Sequence, residues 1–374
     1  MKASIQFAFV LLFALALNAQ NNTANVVQTG INNISNSNQI GIGNDLKVIQ
    51  NGNFNISLLN QTGTNNFSCV EQVGDANYSE VDQVGNANSN VGYQQGDLNN
   101  SDVDQDGDAN IADFDQLGNQ NSNVQSQQGD SNYTQVYSDG NLNNTNSDQQ
   151  GDDNLAYIYQ VGNRNDGDID QFGNSNQAEV LQFGNRNSSA VAQSGDSNFA
   201  FTNQANNRNA STIDQTGDDN AAFVAQNGRQ NNSDIDQIGD FNYSSVSQSG
   251  RRNENFNYQQ GDGNFNDITQ RGRLNDSYVL QLGDYNKNTT LQDGINNDSD
   301  VYQIGDGNCS DVFQDGNSNT GLTVQVGNNH IANIHQTGNG NDATIIQFGP
   351  APFNTTITQA GGGNLTKINQ SGSF

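Results

Sequence analysis

Glutamine returns every eleven residues along most of the chain, and this period constrains the fold more than any other feature. The series runs from Gln28 to Gln347 with one failure, Ser138. After Gln347 one additional residue shifts the frame, and the series resumes at Gln359 and Gln370. These positions define 32 units, and repetition at a fixed short period is the signature of a solenoid rather than of separate globular domains.

Each unit carries the motif Q-x-G-x-x-N. Glycine fails once, at Asn206, and asparagine is replaced at His330 and Pro352. Identical amide side chains at a fixed period can form ladders by donating to and accepting from one another. Over residues 215–253 the predicted ladder positions are Gln215, Gly217, Asn220, Gln226, Gly228, Asn231, Gln237, Gly239, Asn242, Gln248, Gly250 and Asn253.

The five residues between Asn and the next Gln have the alternation of a β-strand. In most units the second is small and the fourth is β-branched, as with Ser244 and Val246. Asn, the small residue, Val or Ile, and Gln therefore share one face, and the intervening positions face solvent. Glycine followed by Asp or Asn suits a tight turn. One unit is thus predicted to be a strand of about seven residues and a turn of about four.

Charged residues indicate how many strands form one rung. Aspartates recur in the turn of every second unit, and arginines occupy the turns of the units between them. Two strands per rung keep each set on its own edge, whereas three would scatter both. The acidic edge comprises Asp196, Asp218, Asp240, Asp262, Asp284 and Asp306, and the basic edge comprises Arg164, Arg186, Arg208, Arg229, Arg251 and Arg273. The predicted fold is all-β: a β-solenoid of about 16 rungs, with two 11-residue strand-turn units per 22-residue rung and two facing parallel sheets.

Valine or isoleucine is lost from the β-branched position of the unit at Ser37, Gly92, Ser147, Thr202 and Asn257. These sites recur at every fifth unit, which corresponds to two and a half rungs. Some of these strands place apolar residues on the opposite phase. We expect such strands either to present their other face to the core or to relieve strain.

Composition alone indicates a disordered polymer, because only 32% of the residues are hydrophobic and the net charge is −28. The regular repeat nevertheless predicts an ordered fold. Amide ladders reconcile the two, because burying an amide costs little free energy when each amide has a hydrogen-bond partner. The acidic balance argues against nucleic acid as a partner. The chain has two histidines, His330 and His335, and its Asp and Ser residues recur with the repeat, so we predict no enzyme activity, no catalytic site, no metal site and no cofactor.

The domain organisation is predicted from the two ends of the chain. Residues 1–19 read as a signal peptide, with Lys2 before an apolar stretch that is short for a transmembrane helix. Residues 20–374 form the repeat domain, with a proline-containing interruption at 349–353. That interruption is either a bulged loop or a hinge that frees the last rung. Cys69 and Cys309 are about eleven rungs apart, so an intramolecular disulfide is excluded.

The stretches QVGDANYSEVDQVGNAN (72–88) and QTGDDNAAFVAQNGRQN (215–231) resemble the curlin repeat of bacterial curli subunits. The resemblance spans about residues 22–374. It implies a secreted subunit of a functional amyloid that assembles at the cell surface in biofilm matrix. It also implies export through the periplasm and an outer-membrane pore, and nucleation by a partner subunit.

The unpaired strand edges at the ends of the solenoid predict self-association. Uncapped terminal rungs expose unpaired strand edges, so the protein is expected to polymerise end to end. The alternative is a monomeric surface adhesin whose outward tyrosines, such as Tyr157 and Tyr243, stack on sugars.

The acidic edge is either a solvated surface that delays assembly or a cation-binding surface. The basic edge either pairs with the acidic edge of a neighbouring rod or relieves charge within the molecule.

Overall fold

The computed structural model describes residues 21–372, and the predicted signal peptide at 1–19 lies outside that range. The described residues form 32 strands, which divide between two 16-stranded sheets. Within this range no helix is long and apolar enough to cross a membrane.

Odd-numbered strands build the first sheet: β1 (Thr23–Thr29), β3 (Asp45–Asn51), β5 (Phe67–Val73), β7 (Ser89–Gln95), β9 (Ile111–Leu117), β11 (Tyr133–Asp139), β13 (Leu155–Asn163), β15 (Gln177–Asn185), β17 (Phe199–Asn207), β19 (Ala221–Arg229), β21 (Tyr243–Arg251), β23 (Phe265–Arg273), β25 (Lys287–Ile295), β27 (Cys309–Asn317), β29 (Ile331–Asn339) and β31 (Asn354–Gly362). Even-numbered strands build the second: β2 (Ile34–Ile42), β4 (Ile56–Thr64), β6 (Tyr78–Asn86), β8 (Asn100–Asp106), β10 (Ser122–Gln128), β12 (Asn144–Gln150), β14 (Asp166–Phe172), β16 (Ser188–Ser194), β18 (Ala210–Thr216), β20 (Asn232–Ile238), β22 (Glu254–Gln260), β24 (Asp276–Leu282), β26 (Asp298–Ile304), β28 (Thr320–Val326), β30 (Asp342–Phe348) and β32 (Leu365–Ser371).

Both sheets are parallel with a step of one rung, so that Gln215 is paired with Gln237 and Val224 with Val246. Rung n consists of strands β(2n−1) and β(2n), and successive rungs stack along the rod. The predicted β-solenoid of about 16 two-strand rungs is therefore confirmed. Strands are seven or nine residues long, because nine-residue strands such as β21 (Tyr243–Arg251) continue through the motif glycine.

A thin core lies between the two sheets. Valine and isoleucine from both sheets, including Val246 and Ile235, are buried there with alanines and serines, as the alternation of each unit predicts. Burying each such branched side chain stabilises the fold by about 1.5–3 kcal/mol. The small residues let the sheets approach closely, so the amide ladders and the apolar core share the same narrow interior.

The five units of Ser37, Gly92, Ser147, Thr202 and Asn257 keep their face toward the core, so the expectation that such strands present the opposite face is wrong. Ser147, Thr202 and Asn257 are buried like the residues above and below them. The strands of these rungs pair in register with their neighbours. A one-residue slip would instead move every side chain of the strand to the opposite face. Asn257 Nδ2 instead donates to Ser244 Oγ of the facing sheet at 2.7 Å.

Gly92 serves a different purpose in the core. Phe114, one rung later, is fully buried, and a Cβ on Gly92 would overlap its ring. The missing side chain therefore provides the volume that the large neighbour fills. Nothing in the structure explains why these five positions recur at every fifth unit.

The proline-containing interruption forms a loop between β30 and β31. Strand β31 (Asn354–Gly362) pairs with β29, and Gln336 Nε2 donates to Gln359 Oε1 at 2.9 Å across a step one residue longer than the usual rung. The loop thus absorbs the additional residue without breaking the glutamine ladder.

Candidate assembly interface

Glutamine forms a ladder along the interior of each sheet, and the ladder of the odd-numbered sheet is interrupted once, at Ser138. Gln215 Nε2 donates to Gln237 Oε1 at 2.9 Å, and Gln237 Nε2 donates to Gln259 Oε1 at 2.8 Å. The same Gln237 nitrogen donates to the carbonyl oxygen of Ala221 at 3.3 Å, and Ala221 belongs to the facing sheet. Each glutamine therefore links its own rung to the next and one sheet to the other.

Asparagine performs the corresponding role where a turn enters a strand. Asn220 Nδ2 donates to the carbonyl oxygen of Gly239 at 2.7 Å, and the backbone N–H of Asn220 donates to Asn198 Oδ1 at 3.0 Å. Both groups are buried, so the bonds satisfy backbone atoms that a tight turn would otherwise leave without partners. This explains why the asparagine recurs with the glutamine.

The motif glycine is required by close contact between successive turns. Gly217 has φ +115°, and a Cβ on it would overlap the carbonyl oxygen of Gly239 in the next rung. A side chain on Gly217 is therefore disfavoured both by the backbone conformation and by the space that the next turn occupies. Asn206 occupies this position once, at φ 75°, and its Nδ2 donates to Asn227 Oδ1 at 3.0 Å.

The structure places the six residues of the acidic edge in one column, in the turns that follow even-numbered strands. The backbone N–H of Asp196 donates to Asp218 Oδ1 at 2.8 Å, and the same bond links each successive aspartate up to Asp306 at 2.8–3.0 Å. Sequence reasoning missed this backbone role. The available signal was that Asn replaces Asp at the same turn position, as at Asn174, which accepts from Asp152.

The structure places the basic edge in the turns that follow odd-numbered strands, in two adjacent columns. Arg164, Arg186 and Arg208 occupy the fourth position after glutamine with φ near 60°, whereas Arg229, Arg251 and Arg273 occupy the third. All six side chains are exposed. The third position is the acceptor position of the acidic edge, so the corresponding column here is interrupted after Asn207, which accepts from Asn185 at 2.9 Å.

The two broad faces of the rod differ in chemistry. Aromatic rings stack along the odd-numbered strands, with Tyr137 and Tyr159 at 4.6 Å and Tyr243 and Phe265 at 5.0 Å between centroids. Even-numbered strands carry a stack as well, of Phe256, Tyr278 and Tyr302, but carboxylates predominate on others of these strands. Asp170 lies beside Asp168 and Asp148, and partial burial together with these charges raises its pKa to about 6. Both faces thus present aromatic columns, and the carboxylate cluster around Asp170 distinguishes part of the even-numbered face.

The two ends of the rod expose incomplete rungs. The inward-facing Val26 of the first rung is 40% exposed, whereas Val48 at the equivalent position of the next rung is fully buried. At the other end Ile368 is only partly buried, whereas Ile345 of the preceding rung is fully buried. At the first rung Gln28 and Gln39 donate up the ladder, so within residues 21–372 their Oε1 atoms accept from no other rung. At the last rung Gln370 accepts from Gln347, and its own Nε2 donates to no further rung of the described chain.

His330 substitutes for a ladder asparagine next to the last rung. Its Nδ1 accepts from the backbone N–H of Phe353 at 3.2 Å, in the way that an asparagine Oδ1 accepts elsewhere, and the two rings stack at 5.2 Å. His330 Nε2 lies 3.3 Å from the carbonyl oxygen of Val326, which is the remaining partner of a neutral ring. Sequence reasoning identified the substitution but not this mimicry.

Other candidate chemistry has little geometric support. Among residues 21–372 no cluster of three or more His, Cys, Asp or Glu side chains could hold a metal ion. Cys69 and Cys309 are unpaired thiols on the outer face of the odd-numbered sheet. Partial burial raises the pKa of both thiols, and a nearby lysine opposes the shift in each case.

Comparison with known families identifies the repeat. The family described as Curlin associated repeat matches the chain at residues 162–195, 173–205, 206–239 and 316–349. No curated protein matches the chain. The matched segments contain the ladder from Gln215 to Gly239, four of the six arginines of the basic edge and two of the six aspartates of the acidic edge, so the family motif coincides with the ladder bonds described above.

Proposed function

Because the chain is a curlin-repeat protein, we propose that it is a secreted, curli-type structural subunit that assembles end to end into cross-β fibres at the bacterial surface. The observation that supports this proposal is the match between the two ends of the rod. In the part of the chain that the structure describes, the ladder glutamines of the last rung have side-chain N–H donors that point to no further rung, and those of the first rung have side-chain oxygens that accept from none. Both rungs carry the same repeat, so these groups lie at corresponding positions.

The register can be followed strand by strand. If a second copy continues the stacking, β31 meets β1 of that copy and Gln359 lies opposite Gln28, as Gln336 lies opposite Gln359 within the chain. In the other sheet Gln370 lies opposite Gln39. The outward-directed Nε2 of Gln370 then meets an unoccupied Oε1, continuing the ladder across the junction.

The polarity of the ladder also selects head-to-tail contact. Each glutamine–glutamine bond of the ladder runs toward the C-terminal rung, as the bond from Gln28 to Gln50 does. Joining two N-terminal ends would place acceptors against acceptors, and a buried unsatisfied amide costs about 1–3 kcal/mol. Head-to-tail stacking leaves only the outermost rungs of a fibre incomplete.

A proline in the first strand tests this end contact. Thr23 donates its backbone N–H to Asn44 of the next rung, so in a parallel strand the N–H groups of Ala24, Val26 and Gln28 point to the free edge. Val26→Pro removes one donor from that edge without removing a bond inside the rod. Val26→Ala is the matched control, since it shortens the side chain and keeps the donor.

Seeded growth monitored by thioflavin fluorescence and by fibre length measures the effect. We expect wild type and Val26→Ala to elongate from preformed seeds and Val26→Pro to elongate at least tenfold more slowly. Fibres should diffract at a spacing of about 4.8 Å along their axis. Fibres without that spacing, or undiminished growth of Val26→Pro, would refute end-to-end stacking.

The fibre proposal has functional corollaries. Biofilm matrix formation and adhesion are the proposed roles of the fibre, with a nucleating subunit and an outer-membrane pore as proposed partners. The alternative is a monomeric adhesin, and the observation that favours it is the outward aromatic ladder that includes Tyr137 and Tyr159. Rods that bind polysaccharide but do not grow from seeds would support the adhesin.

A further inference from the structure

The arginines of this protein are confined to one edge of the rod. The chain contains eight of them, and all lie between residues 164 and 273, in rungs 7 to 12. They are Arg164, Arg186, Arg208, Arg229, Arg251, Arg252, Arg271 and Arg273. All eight are exposed, and they lie in or next to the turns that follow six successive odd-numbered strands.

Within residues 21–372 these cations have no carboxylate partner. The hydrogen bond found for an arginine side chain runs from Arg252 Nε to Gln230 Oε1 at 3.3 Å, and this acceptor is a neutral amide. Like charges one rung apart repel one another, so a column of six successive cationic rungs is unfavourable in an isolated rod. In a chain of net charge −28, this local excess is complementary to an anionic surface.

A groove follows the arginine edge. It encloses about 570 Å3 and is lined by the stacked turns from Asn141 to Arg229, including Arg164, Arg186 and Arg208. Turn asparagines such as Asn163 and Asn185 also line it, each next to an arginine in the same turn, so these rungs present a guanidinium and an amide side by side. The site is therefore a linear one that repeats at every rung, which suits a partner whose anionic groups repeat at the same spacing.

We propose that the arginine edge of one rod binds the acidic edge of a second copy of this chain. The acidic edge repeats once in every rung from Asp196 to Asp306, in rungs 8 to 13, and so has the same axial spacing and the same six-rung length. A relative shift of one rung between parallel rods brings all six pairs opposite one another. Because both edges repeat once per rung, their axial spacings are equal, and neither rod has to deform to form the contact.

The aspartates are suited to this contact. In each of them Oδ1 accepts a backbone N–H of the preceding rung, as Asp218 does from Asp196, and this bond fixes the carboxylate in place. Oδ2 stays available to a guanidinium, and guanidinium–carboxylate bonds are stronger than neutral ones. The bond to Oδ1 thus holds the carboxylate in the position in which an arginine of the neighbouring rod would bind it.

The contact is heterologous, because the two edges lie on opposite sides of the rod. A second rod bound at the arginine edge leaves its own arginine edge free for a third. Heterologous contacts of this kind form open arrays, so the expected product is a flat layer of parallel rods. This inference concerns lateral contact and holds whether or not rods also grow end to end.

Two charge-neutralising variants test the proposal in the full-length protein. The arginine variant carries Arg229→Gln, Arg251→Gln and Arg273→Gln. The aspartate variant carries Asp218→Asn, Asp240→Asn and Asp262→Asn, in which the amide oxygen retains the backbone bond. Both are made in the Val26→Pro background so that lateral association is measured in short rods. Lys287→Gln is the matched control, because Lys287 lies on the broad face of the same sheet.

Sedimentation velocity at low and physiological salt measures lateral association, and electron microscopy measures the width of the layers. We expect each triple variant alone to associate at least tenfold more weakly than the control, with the difference lost at high salt. A mixture of the two variants should form one-to-one pairs, since each retains one complementary edge. Unchanged association of either variant, or absence of mixed pairs, would overturn the proposal.

A soluble polyanion is the competing partner for the same groove. Heparin binding is measured in parallel as the probe. If the arginine variant loses heparin binding but associates laterally as the control does, the groove serves a soluble anion and the lateral contact is refuted. If all variants associate normally while Val26→Pro still blocks growth from seeds, lateral pairing fails and end-to-end stacking stands.

Discussion

The Oγ of Ser138 lies 3.5 Å from Oε1 of Gln160, at the single gap in the series of glutamines from Gln28 to Gln347. Gln116, one rung earlier, donates to the carbonyl oxygen of Asn100 but has no glutamine ahead of it. The position is fully buried, like every other interior ladder position. A natural vacancy in a repeated structure allows the ladder to be tested by addition as well as by removal.

Filling this gap with Ser138→Gln should stabilise the surrounding rungs. The new side chain would accept from Gln116 and donate to Gln160, and each net hydrogen bond contributes about 0.5–1.5 kcal/mol. The reverse change, Gln237→Ser, should destabilise its rungs by about 2–3 kcal/mol, because Gln215 loses its buried acceptor and a cavity remains. Hydrogen exchange of individual strands measures both effects, because rungs contact mainly their neighbours. Slower exchange in Gln237→Ser than in wild type would contradict the ladder.

Replacing a motif glycine should be severe wherever the next turn is in contact. We expect Gly217→Ala to destabilise its rung by more than about 3 kcal/mol, because the Cβ would overlap the carbonyl oxygen of Gly239 and φ is +115°. Gly340→Ala is the matched control, since φ is +67° and its Cβ would be 4.0 Å from the nearest heavy atom. That change should cost only about 1 kcal/mol. Thermal unfolding and strand-resolved hydrogen exchange compare the two, and equal effects would show that turn contact is unimportant.

Gly92 and Phe114 should show strong energetic coupling. Gly92→Val alone inserts a side chain into the space of the ring, and Phe114→Val alone leaves a cavity, so each should destabilise the core by about 2–4 kcal/mol. The double variant restores the ordinary valine column and should be more stable than either single variant. A double-mutant cycle measures this difference, and additive effects would mean that the two residues do not share one volume.

The fold was predictable because every unit repeats the same local information. Alternation within a unit gives the strand, glycine gives the turn, and the spacing of Asp218 and Asp240 by two units gives the two-strand rung. Each of these signals is local or periodic, and the repeat multiplies it. The sequence could not show that a glutamine such as Gln237 also bonds the facing sheet, because that contact depends on the distance between sheets.

The exceptions were the least predictable part. Polar Asn257 remains inside because a serine of the opposite sheet accepts from it, and Gly92 is explained by a residue of the next rung. Both depend on partners that the unit itself does not contain. The aspartate column was recognised as an edge, but its backbone bonds require turn geometry that only coordinates provide.

Acidification should stabilise the rod through Asp170. Burial first, and then the charges of Asp168 and Asp148, raise the pKa of this carboxyl from 3.8 to about 6 in the folded chain. The folded state therefore binds the proton more tightly than the unfolded state does. The resulting stabilisation is fully present below about pH 4 and is lost as pH rises through about 6. Unfolding measured between pH 4 and 7 should show stability increasing toward the acidic end.

Asp170→Asn should remove part of this dependence and stabilise the rod at pH 7, because the amide carries no charge beside Asp168 and Asp148. Asp342→Asn is the matched control: Asp342 also faces outward from the same sheet, but Thr320 and Leu365 are its neighbours in the adjacent rungs. Seeded growth of the wild type should likewise be faster at pH 5 than at pH 7, because neutral carboxyls reduce repulsion between copies. If Asp170→Asn and Asp342→Asn change the pH dependence equally, the clustered carboxylates of β12 and β14 are not its source.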